Sequence, residues 1–192
     1  HGASRRFREM IHILTPAKWA PVLIPMVKDA VAVANADALT GGDCLIGFGT
    51  GVIVPAGALA GYARAYNFHA GPPEYPGRDP HHWAAYDGAE WFGVTCHEMT
   101  ASVDAGPIVA GERFPRRERE PQALRRFAEG QLLSLFADWA PRMAAGPVPP
   151  SAHLRWSGPA RKRADLLALL DLSGLDPYEQ DRRRKAFQGF LA

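Results

Sequence analysis

Cysteine is scarce in this chain, with two residues among 192, Cys44 and Cys96. Each sits in an apolar run, where a buried, reduced thiol is expected. Two isolated cysteines make no disulfide framework of the secreted kind. No apolar run reaches the length that a membrane-spanning helix needs. Lysine is nearly missing too, occurring only at positions 18, 28, 162 and 185 among 22 basic residues; the arginine excess reads as a composition bias. Net charge is only +2, which gives no electrostatic case for a nucleic-acid partner. Internal repeats and low-complexity stretches are absent. The expectation is a cytoplasmic, soluble protein that binds neither membrane nor nucleic acid. The start, His1 to Ser4, reads as a tag remnant rather than a targeting signal.

What the chain does have is apolar content, 47% of its residues, enough for one sizeable core. MIHILT (Met10 to Thr15), AVAVAN, DCLIGFG (Asp43 to Gly49) and ARAYNFH read as short buried strands. Thr15 followed by Pro16 predicts a capped helix over roughly Pro16 to Asp29. PAGALAGY reads as a short helix, and Asp79-Pro80, a second cap-plus-proline start, predicts another helix that stops at Gly88. WFGVTCHEM and PIVAGERF are β-rich runs joined by TASVDAG. Pro121 opens a long helix, with Leu124, Phe127, Leu132, Leu135, Phe136, Trp139 and Met143 as its buried stripe. AAGPVPPSAH looks like a linker. Two short helices follow, the second starting from a near capping box at Asp176 and Glu179. Alternating strands and helices argue for an α/β protein with an open, mostly parallel twisted sheet. Residues 5–147 are expected to form the α/β domain, and 148–192 a short C-terminal helical extension packed on it.

Ligands in such sheets bind beyond the carboxyl ends of the strands. Two strands end in suggestive sequence. GFGTG, Gly47 to Gly51, is not a dinucleotide fingerprint, because VIVP follows where a helix should open. Its glycines instead let a flat ligand approach the backbone. The other strand exits through YNFHAGPPEYPG, Tyr66 to Gly77. Asn67 and His69, two apart on a strand, share one face. Together they can offer an amide and an imidazole to one carbonyl oxygen. Asp104, on a loop between two strands, can hold the imidazole charged and accept a proton if the fold brings the two together. His69, His81, His82 and His97 show no metal-ligand spacing, so no metal is expected.

Four linked elements then carry a resemblance: Asn67-Phe68-His69, the proline-rich loop closing at Tyr75-Pro76-Gly77, Gly93-Val94-Thr95-Cys96-His97, and Asp104-Ala105-Gly106. In order and spacing they resemble the folate-dependent formyltransferases, the family of glycinamide ribonucleotide, methionyl-tRNA and sugar N-formyltransferases. LIGFGTGVIVP is similar to the family's folate-side strand and loop. The resemblance implies a Rossmann-like core and transfer of the formyl group of 10-formyltetrahydrofolate to an amine of a small metabolite, an amino sugar or amino-acid derivative. It implies Asn67, His69 and Asp104 as catalytic residues. It implies Gly49, Thr50, Gly51, Val52, Ile53, Val103 and Asp104 as the formyl-donor site, with His97 in support. Glu74, Tyr75 and Arg78 are candidates for substrate contact. The loop after His69 is one residue shorter than the family's usual Pro-Ser-Leu-Leu-Pro pattern, and the half before Asp43 is abbreviated. No large C-terminal tRNA-binding region follows, so methionyl-tRNA is not the expected substrate. A formyltetrahydrofolate hydrolase or related one-carbon enzyme, and a non-catalytic binding module of the same fold, are the alternatives. A homodimer through the C-terminal helices is possible on this sequence.

Overall fold

The computed structural model describes residues 10–117 and 120–191; the tag-like start lies outside the described residues. Six strands form one sheet in the order β2-β1-β3-β4-β5-β6. They are β1 (Ile11–Leu14), β2 (Ala30–Val33), β3 (Gly42–Phe48), β4 (Tyr62–His69), β5 (Trp91–Glu98) and β6 (Ile108–Pro115). The first four run parallel. β5 is antiparallel to β4 and β6 antiparallel to β5, so β6 again points along β4. The helices are α1 (Ala20–Leu23), α2 (Ala56–Leu59), α3 (Pro80–Tyr86), α4 (Pro121–Ala145), α5 (Arg163–Leu167) and α6 (Pro177–Ala186).

The strand pleat sorts side chains between two faces. Ile13, Cys44, Ile46, Phe48, Tyr66, Phe68, Phe92, Val94 and Cys96 join the larger core against α4, where Leu124, Leu132, Leu135, Phe136 and Met143 complete it. Phe136 sits 5.0 Å from Phe68 and 5.3 Å from Phe48, ring centre to ring centre. Truncating such a side chain to alanine costs about 3–5 kcal/mol. Leu14, Val33, Leu45 and Tyr62 pack on the opposite face. Both cysteines are buried free thiols. Burial pushes Cys44 up to about 12 and Cys96 well above its ordinary value.

Three expectations need correction. The helix over Pro16 to Asp29 does not form: α1 is one turn, followed by a 3₁₀ turn at Ile24–Met26. Pro21 and Pro25 lack the N–H groups that a continuous helix would use, and Thr15 is no cap, because its hydroxyl donates to the Phe48 carbonyl at 3.0 Å. Asp79 does not cap α3 through its side chain either; its backbone is left-handed at φ 60°, and its carboxylate takes Arg163 in a two-point contact at 2.6 and 2.8 Å. Phe127 leaves the buried stripe and is 46% exposed, its ring edge-on to Phe114.

The stretch after α4 is not a free linker. Ser151 N–H donates to the Ile108 carbonyl, Ser157 N–H to Pro73 and Arg161 N–H to Pro76, while Arg78 N–H donates back to Arg161. Residues 148–161 thus form a strap along the outer strand β6 and the proline-rich loop. Beyond it, Leu166, Ala186 and Phe187 close over Trp83 of α3 as a third apolar cluster.

Candidate active site

Tyr66 and Phe68 enter the core against α4, so Asn67 and His69 must face the other way. The same alternation on β5 sends Cys96 inward and Thr95 and His97 to the face of Asn67. β4 and β5 meet over Tyr66↔Glu98, Asn67↔His97, Phe68↔Cys96 and His69↔Thr95. The antiparallel pairing therefore sets His97 directly across from Asn67. A register shift at Cys96/His97 against β6 is the kind of bulge that re-aims a side chain. Thr95 donates its hydroxyl to the Gly71 carbonyl at 3.0 Å, which ties β5 to the loop after His69.

Asp104 is the hub. It sits on the loop between β5 and β6 with φ at 45°, a left-handed conformation that costs a non-glycine residue energy and is met where surroundings enforce it. Its Oδ1 accepts from Asn67 Nδ2 at 3.3 Å and faces His97 Nε2 at 3.0 Å. Its Oδ2 accepts from the Gly77 backbone N–H at 2.8 Å and lies 3.3 Å from His69 Nδ1. Two opposed effects act on this buried carboxyl. Desolvation favours the neutral acid. The attraction of His69, the hydrogen bond and charge of His97, and the Gly77 amide favour the anion. The partners win, and Asp104 is held well below the usual carboxylate range.

Each histidine is engaged at both nitrogens. His69 Nε2 donates to the Tyr75 carbonyl at 2.9 Å, and His97 Nδ1 faces the Glu98 carbonyl at 2.8 Å. Sequence reasoning left His97 as support; the structure places it in direct contact with both Asp104 and Asn67. The Asn67 and His69 donors thus point at protein acceptors rather than into open space. Gly71 is needed here, because a Cβ on it would sit 2.5 Å from His69 Nε2. Gly106 is needed because the Glu98 carbonyl leaves no room for a side chain.

The expected donor loop follows β3. Gly49 has φ 55°, and Thr50 Oγ1 accepts from Val52 N–H at 3.0 Å. Val52 turns inward onto the second core cluster. Ile53 stands 69% exposed, and Val103, next to Asp104, 49% exposed. The Arg78 guanidinium rests on Gly51. A flat ring at this loop would meet backbone groups, the exposed Ile53 side chain and the Arg78 guanidinium. Of the remaining candidates, Glu74 pairs with Arg113 at 2.9 Å. The Tyr75 ring turns to Phe92, and its phenol is pushed up to about 12 by burial and then by Asp87. Tyr75 therefore meets the site through its carbonyl alone.

One residue at this cluster carried no motif. Trp156, on the strap, lies edge-on to both His69 and His97 and donates to the Gly106 carbonyl. A lone tryptophan in a proline-rich stretch gives no periodicity or spacing by which to find it.

Residues 29–122 match the formyl transferase family. The fold is similar to that of a 4-N formyltransferase from Francisella tularensis, with a TM-score of 0.74 at 15% identity, covering 92% of this chain and 87% of that one. It is similar to a sugar N-formyltransferase from a Shewanella species, with a TM-score of 0.72 at 14% identity and the same coverage of 92% and 87%. It is also similar to the N-formyltransferase from Helicobacter canadensis solved with folinic acid and dTDP-3-aminofucose, with a TM-score of 0.69 at 12% identity over 94% of this chain and 80% of that one. The matched residues include the loop after β3, Asn67, His69, His97 and Asp104.

Proposed function

We propose that this protein transfers the formyl group of 10-formyltetrahydrofolate to the amine of a small metabolite, most specifically a nucleotide-linked amino sugar. The observation that carries the reading is the convergence of Asn67, His69, His97 and the Gly77 amide on one buried carboxylate. The neighbour solved with folinic acid and dTDP-3-aminofucose supports the choice of donor and acceptor class. In this reading residues 5–147 form the catalytic domain and 148–192 the extension that flanks the acceptor side.

The acceptor amine attacks the formyl carbon, and the formyl oxygen becomes an oxyanion. In this reading Asn67 Nδ2 and His69 Nε2 turn from their protein partners to stabilise it as donors, each worth about 3–4 kcal/mol in such a role. His69 Nε2 then exchanges the Tyr75 carbonyl for the formyl oxygen. The amine proton passes to N10 of the leaving folate, the C–N10 bond breaks, and tetrahydrofolate and the N-formyl product separate. A carboxylate held as low as Asp104 is a poor resting place for a proton. Asp104 therefore acts mainly by fixing and polarising Asn67 and the two imidazoles, and it hands a proton on rather than keeping it. Ile53 and Val103 flank the donor ring, and backbone groups from Gly49 to Val52 hydrogen-bond it.

Calorimetry with 5-formyltetrahydrofolate, followed by mass spectrometry of a panel of nucleotide-linked amino sugars incubated with 10-formyltetrahydrofolate, tests this. Folate binding and one product heavier by a single CO are expected. A protein that neither binds the folate nor formylates any amine would overturn the proposal. Formate released at full rate with no amine present would replace the acceptor by water.

A further inference from the structure

Outside the motif residues, the site has one neighbour that touches three of its parts. The Trp156 indole lies 5.9 Å from His69 and 5.2 Å from His97, ring centre to ring centre, at 71° and 78°. Its Nε1 donates to the Gly106 carbonyl at 2.8 Å, two residues beyond Asp104. One side chain thus contacts both imidazoles that face the carboxylate and also clamps the loop that carries it.

The ring planes matter because of what each imidazole does. His69 presents Nδ1 to Asp104 and Nε2 to Tyr75; His97 presents Nε2 to Asp104 and Nδ1 to Glu98. A half-turn of either ring about its Cβ–Cγ bond would put carbon where nitrogen is needed. Edge-on aromatic contact favours one ring orientation over others. Gly71 backs the His69 ring near its Nε2. Trp156 itself is held by backbone pairing on both sides: Ser151 N–H to Ile108 before it, and Ser157 N–H to Pro73 and Arg161 N–H to Pro76 after it. Gly158 meets Glu74 so closely that a side chain has no room, which keeps the strap in register with the loop that bears Tyr75.

We infer that Trp156 is a positioning residue, fixing the ring planes of His69 and His97 and the Asp104–Gly106 loop relative to one another. The strap thereby becomes part of the active site although it supplies no reacting group. The kinetic side of this inference rests on the formyltransferase reading; the geometric side does not.

The test separates the two. Imidazole resonances of the full chain are followed by NMR in wild type, Trp156→Leu and Trp156→Phe. In Trp156→Leu the His69 and His97 signals are expected to move and broaden, while those of His12, His81, His82 and His153 stay in place. In Trp156→Phe, which keeps an aromatic edge and loses the indole N–H, both signals are expected to return close to wild type. With an acceptor amine identified, kcat should fall about tenfold to a hundredfold in Trp156→Leu, as misplacement of reacting groups does, with donor KM nearly unchanged and partial recovery in Trp156→Phe. Unmoved His69 and His97 signals in Trp156→Leu overturn the inference. So does a shift of all the histidines together, which would mark a general loss of packing. A wild type without transferase activity sinks the reaction and leaves the NMR outcome to decide on Trp156.

Discussion

The sheet and the strap build the same site in opposite ways. From β3 to β6 the site is written in short polar groups at strand ends, each fixed by pleat and register: Asn67 and His69 against the core phenylalanines, His97 across from Asn67, Asp104 on the loop between. The strap, residues 148–161, has no helix and no strand of the main sheet. It is placed by single backbone hydrogen bonds to β6 and the proline-rich loop. Chemistry encoded by periodicity survives as a readable pattern. Chemistry encoded by docking leaves a proline-rich sequence that resembles a connector.

The largest effect expected from breaking the sheet side is at the hub. Asp104→Asn should lower turnover on the order of a thousandfold or more, as loss of an orienting carboxylate does elsewhere; steady-state kinetics with the acceptor amine found in the screen will measure it. The same variant should change acid stability. The folded Asp104 is depressed below its unfolded value, so its stabilisation is complete above about pH 4 and is lost as pH falls below that. Wild type should lose stability on acidification in that window, and the variant should lose less, in urea melts from pH 6 to pH 2. Next come His69→Ala and Asn67→Ala, each expected to cost about a hundredfold to a thousandfold in kcat if they hold the oxyanion; a change confined to KM would remove that role.

The strap is broken most cleanly at Gly158. Gly158→Ala drives a methyl group into the Glu74 carbonyl, and overpacking of this kind costs about 1–3 kcal/mol. A lowered Tm together with reduced kcat is expected; an unchanged Tm would show that the strap yields freely. The smallest effect is at the loop after β3, the expected donor loop. Ile53→Ser, at a position 69% exposed, should leave stability within about 0.5 kcal/mol and raise the donor KM several-fold. Equal KM values would take Ile53 out of the donor site.

Much of the sheet side was legible. The apolar runs gave the strands, the spacing put Asn67 and His69 on one face, and Asp104 meets them as the family resemblance implied. The reversal at β5 was not legible, because a buried strand reads the same in either direction. That reversal is what brings His97 opposite Asn67. The helix expected after Thr15 failed because two prolines, Pro21 and Pro25, outweighed a favourable start signal. Phe127 fitted the helical stripe but lies at its edge, where β6 offers only Phe114 to cover it. Trp156 was invisible for a different reason. Its partners lie 50 to 87 residues away in sequence, and no local rule connects them.

The two sealed thiols have a practical consequence. Cys44 and Cys96 are the only cysteines in the chain, and both are buried with their protons held tightly. A thiol must ionise and be reached before it reacts, so the folded protein offers an electrophilic dye almost nothing. A single cysteine placed on the exposed face of the strap, as in Ala152→Cys, would take the label alone, with no native residue removed. Fluorescence from that one position could then follow the strap while donor and acceptor come and go.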